Sequence, residues 1–180
     1  ALVLENCAGA NWFGRNSFRK MFAYPIEVQT PPCPCHADAI GTPPFGDHLL
    51  QGGEEFSVFA PCLARMRESD AALADKMYAA WVAAHRPHMR LFSEDLVLLR
   101  LLAARPYHAG GAAALPCAVD YPDAGLYVRR SKNARNYFSM MASPRPIGHG
   151  HLDEGSFQIF ADGQPIVLDS GVEGYFDGSV

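Results

Sequence analysis

The sequence predicts a multidomain α+β chain in which helices come first and antiparallel strands follow, and three observations carry that reading. Apolar residues recur at spacings of three and four up to about residue 110. They change to alternation after it. An Asp162-Gly163 pair then stands between two alternating runs, as the turn of a two-residue hairpin would. Helices followed by strands argue for segregated parts and against a βαβ fold. The expected division is a helical domain over 1–110 and an antiparallel β domain over 111–180.

The elements follow in order. Phe13, Phe18, Met21 and Phe22 predict a helix over 12–24 that Pro25 stops, and a Pro- and Gly-rich stretch from about Gln29 to Gly53 predicts a loop. Phe56, Phe59, Leu63 and Met66 repeat at helical spacing, with Pro61 expected to kink or delay that helix. Ser69 is the expected N-cap of an amphipathic helix to about His85, carrying Leu73, Met77, Ala80, Trp81 and Ala84 on one face. Ser93 would cap the next helix, apolar nearly all round over 96–104 except at Arg100.

After Gly110-Gly111, Leu126 with Val128 and then Tyr137 to Met141 predict strands. Ser156 to Ala161 alternates into the Asp162-Gly163 turn, and Gln164 to Leu168 runs back.

The chemistry-bearing stretch is Pro146-Ile147-Gly148-His149-Gly150-His151-Leu152-Asp153-Glu154-Gly155-Ser156-Phe157. Residues two apart in an extended segment share a side at about 6.5 to 7 Å, so His149 and His151 can face one site. The hairpin brings Asp169 back alongside them. Two imidazoles and a carboxylate suit zinc, with one protein ligand still missing if the site is to be tetrahedral. A pair of solvent-facing loop histidines beside a turn aspartate in Asp169-Ser170-Gly171 fits the same spacing.

Composition narrows the function classes. The 180 residues are 49% hydrophobic and 11% aromatic, enough for a real core. Net charge is −4 and no run of five Lys or Arg occurs, so the chain lacks a nucleic-acid footprint. No apolar run approaches about 18 residues, which argues against membrane insertion. Arg129, Arg130, Lys132, Arg135 and Arg145 form a local basic group that would suit an acidic polymer. The five cysteines are odd in number and do not form a disulfide framework; Cys33-Pro34-Cys35-His36 is a weak metal motif with no second soft pair after it.

Taken together, Asp123-Ala124-Gly125-Leu126-Tyr127, Gly148-His149-Gly150-His151-Leu152-Asp153-Glu154-Gly155-Ser156-Phe157, and Leu168-Asp169-Ser170-Gly171 with Tyr175 resemble the heparinase II/III-like polysaccharide lyases, which include oligoalginate lyases. The resemblance covers roughly 120–180 well and 1–110 loosely. It implies the end of an incomplete (α/α) toroid followed by the start of an antiparallel β-sandwich, with a cleft between them. It implies β-elimination on a uronate-containing acidic polysaccharide such as alginate, heparin or heparan sulfate. It further implies that His149 faces the substrate as the catalytic residue and that His151 and Asp169 ligate zinc where a member binds it, the third ligand lying beyond Val180. Arg129 and Arg130, by their positive charge just before the histidines, and Tyr175, as an aromatic near the cleft, are the expected substrate contacts.

The family's catalytic tyrosine, with its Asn or His helper, has no counterpart in 1–110 and is expected upstream of Ala1. The chain is therefore expected to be a piece that is inactive alone, from a periplasmic or secreted rather than a cytoplasmic enzyme. Two alternatives stand beside this. A cupin-like metalloenzyme also uses HxH and an acid on a β-framework, though His151 to Glu154 is one residue short of that pattern. A non-catalytic carbohydrate-binding remnant would need no base.

Overall fold

The computed structural model describes residues 8–45, 54–87, 107, 110, 114–142 and 154–169. It combines helices with a five-stranded antiparallel sheet, the α+β class expected. The chain divides into two compact units, one of residues 1–26 and 54–113 and one of 27–53 and 114–180.

Helix α1 (Asn16–Val28), which lies in the first unit up to Ile26, does not end at Pro25 but carries it inside. Proline in a helix interior costs about 3 kcal/mol. The continuing turn buries Pro25 and Ile26, the latter 3% exposed, and that burial offsets the lost bond. The carbonyl that Pro25 cannot serve belongs to Met21, which lies on the exposed side.

Phe56, Phe59, Leu63 and Met66 are all buried, as their spacing predicts, but not on one helix. Two 3-10 turns, Glu54–Val58 and Ala60–Cys62, precede α2 (Leu63–Ser69), with Pro61 at the start of the second turn, where its missing N–H is harmless. The next helix, α3 (Ala71–Ala83), is capped by Asp70 rather than Ser69. Asp70 is extended, and its Oδ1 accepts from the Leu73 N–H at 3.0 Å. Leu73, Ala74, Met77 and Ala80 form its buried face. Left-handed His85 and Arg86 follow its end. Tilted aromatic rings join α1 to the 3-10 segment through Phe22 and Phe59, centroids 6.0 Å apart.

In the second unit the strands run β1 (Ala118–Tyr121), β2 (Leu126–Arg130), β3 (Tyr137–Met141), β4 (Phe157–Ala161) and β5 (Gln164–Val167), each paired antiparallel with the next in sequence order. Strand β1 is not among the strands that the alternation predicts. The Asp162-Gly163 turn has φ of 50° and 79°, the doubly left-handed form of a type I′ hairpin. A bulge between Ile159 and Phe160 shifts the last pairing.

One face of this sheet is the core. Val119, Leu126, Val128, Tyr137 and Phe160 pack with Val28, Cys33 and Phe45. The stretch that reads as a Pro- and Gly-rich loop thus supplies part of the cover, and this is why 27–53 belongs to the β unit.

Candidate functional site

The two ends of the sheet hold different chemistry. At the first end stand the β1–β2 turn, the end of β3, the start of β4 and the end of β5. The Gly125 N–H donates to Pro122 O at 3.1 Å, the Ala142 N–H to Gly125 O at 2.6 Å, the Met141 N–H to Ser156 O at 2.9 Å and the Gly155 N–H to Met141 O at 2.8 Å. Gly125 and Gly155 have φ of 66° and 91°, which a Cβ would strain. Two glycines of the motifs that carry the resemblance are therefore turn-makers that bind the flanks of 143–153 to the sheet.

Asp169 belongs to this end. Val167 pairs with Ile159, so two residues further on Asp169 comes level with Phe157, where the segment bearing the histidines joins β4. The aspartate is half-buried. His149, His151 and Tyr175 lie outside the described residues, as does the predicted helix over 96–104. Among the described residues no three His, Cys, Asp or Glu side chains gather as a metal site, so Asp169 is the member of the expected zinc pair whose place is known. A carboxylate at the strand end adjoining an HxH segment has the donor chemistry that zinc takes.

Arg129 and Arg130 stand at the other end. Strand β2 starts at Leu126, just after the Gly125 turn, and reaches Arg130 four residues later, about 13 Å away at about 3.3 Å per residue. The two side chains point to opposite faces. Arg129 is exposed and grips Asp120 with both oxygens, Nη1–Oδ1 at 2.5 Å and Nη2–Oδ2 at 3.2 Å, a pairing that raises its pKa.

Arg130 is buried, at 7% exposure. Its guanidinium donates to Pro116 O at 3.2 Å, Glu27 O at 2.7 Å and Gln29 O at 3.1 Å, and it lies 5.5 Å from the Tyr137 ring centroid. Burial lowers its pKa, opposed by Tyr137, Cys117 and Glu27. Arg130 thus ties the 27–29 backbone to the sheet. The structure brings neither arginine to the end where Asp169 stands.

The helical unit holds a group that sequence spacing does not reveal. Tyr107 donates its hydroxyl to Asp75 Oδ1 at 2.5 Å, the Gly110 N–H reaches the same oxygen at 2.9 Å, and Arg67 pairs with Asp75 at 3.3 Å and stands over the Tyr107 ring at 5.5 Å. Burial and then the Asp75 carboxylate push the Tyr107 pKa up to about 12. A phenol held protonated is a proton donor rather than a base at neutral pH. No local pattern in the sequence links positions 32 residues apart.

The Cys33-Pro34-Cys35-His36 motif forms a 3-10 turn, Pro34–His36, closed by a bridge between Cys33 and Ala39. Cys33 is buried and Cys35 exposed, and neither is in a disulfide. Among the described residues no helix is long and apolar enough to cross a membrane.

Comparison with known families now bears on this geometry. Residues 113–179 match the family described as heparinase II/III-like, C-terminal. The match takes in all five strands and both turn glycines, so the resemblance that the motifs carry holds over that part of the chain. No curated protein matches the chain.

Proposed function

We propose that the heparinase II/III-like segment is the sheet side of a polysaccharide lyase site, at the end of the sheet where Asp169 stands. The observation that carries the reading is the family match over 113–179 together with the convergence of β3, β4, β5 and the Gly125 turn on the flanks of the HxH segment. On this reading the helical unit is the end of an (α/α) toroid, and the five-stranded sheet begins a β-sandwich.

The reaction is β-elimination from a uronate unit. The proton at C5 becomes acidic once the neighbouring carboxylate is neutralised by hydrogen bonds or positive charge. A base then removes it and the C4 oxygen leaves with its bond electrons. His149 donates to the uronate carboxylate or assists the proton transfer. Tyr175 and Arg129 contact the polymer, Arg129 by exchanging Asp120 for a sugar carboxylate. Arg130 contributes by holding the 27–29 backbone in place. His151 and Asp169 would hold zinc, which would supply positive charge near the substrate carboxylate.

Such an enzyme degrades polymers met outside the cytoplasm, so the reading favours the periplasm or secretion. Against the cupin-like alternative stands the sequential order of the five strands, whereas a jelly roll interleaves its strands between two sheets.

The test is the ultraviolet absorbance of the unsaturated uronate, measured with the intact protein on alginate, heparin and heparan sulfate. Turnover is expected on at least one of them. His149→Ala is expected to lower kcat by about 10² or more with the fold retained. Absence of the chromophore from every uronate polymer overturns the lyase reading; wild-type turnover in the variant overturns the role of His149.

A further inference from the structure

A cavity of about 420 Å3 opens at the end of the sheet remote from Asp169, between the 29–40 segment and the turns at 133–135 and 162–164. The lyase reading places no substrate in it. Its size is that of a small-molecule site.

Its walls are built rather than accidental. The 29–40 wall is stiffened by Pro31, Pro32 and Pro34 and closed on itself, the Thr30 N–H donating to Gly41 O at 2.8 Å and the Gly41 N–H to Thr30 Oγ1 at 3.1 Å. Tyr137 ties the start of that wall to the sheet, its hydroxyl donating to Val28 O at 2.8 Å. On the far side Arg135 closes the hairpin turn, Nε to Asp162 Oδ1 at 2.7 Å and Nη2 to Asp162 O at 2.6 Å. Little ordering remains for a ligand to impose.

The groups left over indicate the ligand. Both lining guanidiniums are engaged, Arg130 with three main-chain carbonyls and Arg135 with Asp162. Two lining acceptors are not. Gln29 Oε1 is buried with no hydrogen-bond partner among the described residues, and the exposed Asp38 carboxylate has none there either. A buried acceptor in want of a donor and a solvent-facing carboxylate, beside proline rings and with the cations already engaged, fit a neutral molecule rich in hydroxyls and with an apolar C–H face.

We propose that this cavity is a second, non-catalytic site that binds a neutral pyranose unit. Gln29 and Asp38 accept from its hydroxyls, and Pro32 and Pro34 pack against its C–H face. The residues that would contact the sugar, Gln29, Pro32, Pro34 and Asp38, have no part in elimination.

The test is a titration of the isotopically labelled 180-residue chain, followed by amide NMR, with the methyl glycosides of glucose, galactose and mannose and with methyl glucuronide. Saturable shifts are expected at 29–40, 130–137 and 162–164 with at least one neutral glycoside, and the glucuronide should bind at least about tenfold more weakly. Gln29→Leu and Asp38→Asn should each weaken binding at least about fivefold while the amide spectrum stays dispersed; Asn retains the left-handed backbone of position 38, where φ is 62°. No saturable shift with any neutral glycoside, equal binding of the glucuronide, or wild-type affinity in both variants overturns the proposal.

Discussion

Ser139 on β3 faces Gln158 on β4 across the buried side of the sheet, at 0% and 1% exposure, and neither Ser139 Oγ nor Gln158 Oε1 has a hydrogen-bond partner among the described residues. They continue a row that begins with Val119 and Val128. Two polar side chains thus occupy core positions where apolar ones would pack.

Replacing that pair by apolar groups of similar shape removes the cost of burying unbonded polar atoms, about 1 to 3 kcal/mol for each such group. Ser139→Ala with Gln158→Met is expected to raise Tm by at least about 2 °C. Thermal unfolding followed by circular dichroism measures it, and a fall in Tm would mean that the pair is bonded in solution.

The two neighbouring arginines should separate cleanly. Arg130→Lys keeps a charge but cannot span the carbonyls of Pro116, Glu27 and Gln29. It leaves buried acceptors open and should lower stability by about 2 to 4 kcal/mol, read by denaturant unfolding. Arg129→Ala removes an exposed pair with Asp120 and should leave the unfolding midpoint unchanged. On the lyase reading it should raise KM for a uronate polymer, and an unchanged KM removes Arg129 from the proposed substrate contacts.

Tyr107 predicts an alkaline signature. Its folded pKa is raised from 10.0 to about 12, first by burial and next by Asp75. A group whose folded pKa lies above the unfolded value contributes stability that is fully present below about pH 10 and is lost as pH rises towards about 12. The phenolate absorbance of Tyr107, obtained as the difference between wild type and Tyr107→Phe, should therefore appear late, and Asp75→Asn should move it to lower pH. An unmoved titration in Asp75→Asn would mean that the carboxylate plays no part.

For the metal, His151 and Asp169 are expected to give the intact protein about one zinc by elemental analysis, and His151→Ala and Asp169→Ala should lower occupancy and Tm together. Intact protein free of zinc after growth with it would remove the metal from the proposal while leaving the sheet as described.

The sequence by itself determined the parts whose causes are local. Asp162-Gly163 selects its turn because both positions take left-handed φ, and strands β3 and β4 follow from the alternation that leads into and out of the connections. The motif glycines carry the family resemblance for a similar reason, since Gly125 and Gly155 occupy backbone conformations other residues avoid. His149, His151 and Tyr175 remain legible through the motifs alone.

The tertiary structure decided what depends on partners far along the chain. In β4 apolar residues stand on both faces, and alternation cannot choose between Phe157 with Ile159 and Gln158 with Phe160; the cover from Val28, Cys33 and Phe45 buries the second pair's face. Arg130 reads as a polymer contact beside Arg129, yet its acceptor at Glu27 lies 103 residues earlier, and the hydroxyl of Tyr137 reaches Val28 across 109. Pro25 marks a stop by propensity and becomes helix interior because Ile26 and Val28 gain burial beyond it. Local preference amounts to a few kcal/mol or less at such positions. The burial and hydrogen bonds that outweigh it come from residues that meet only in the folded chain.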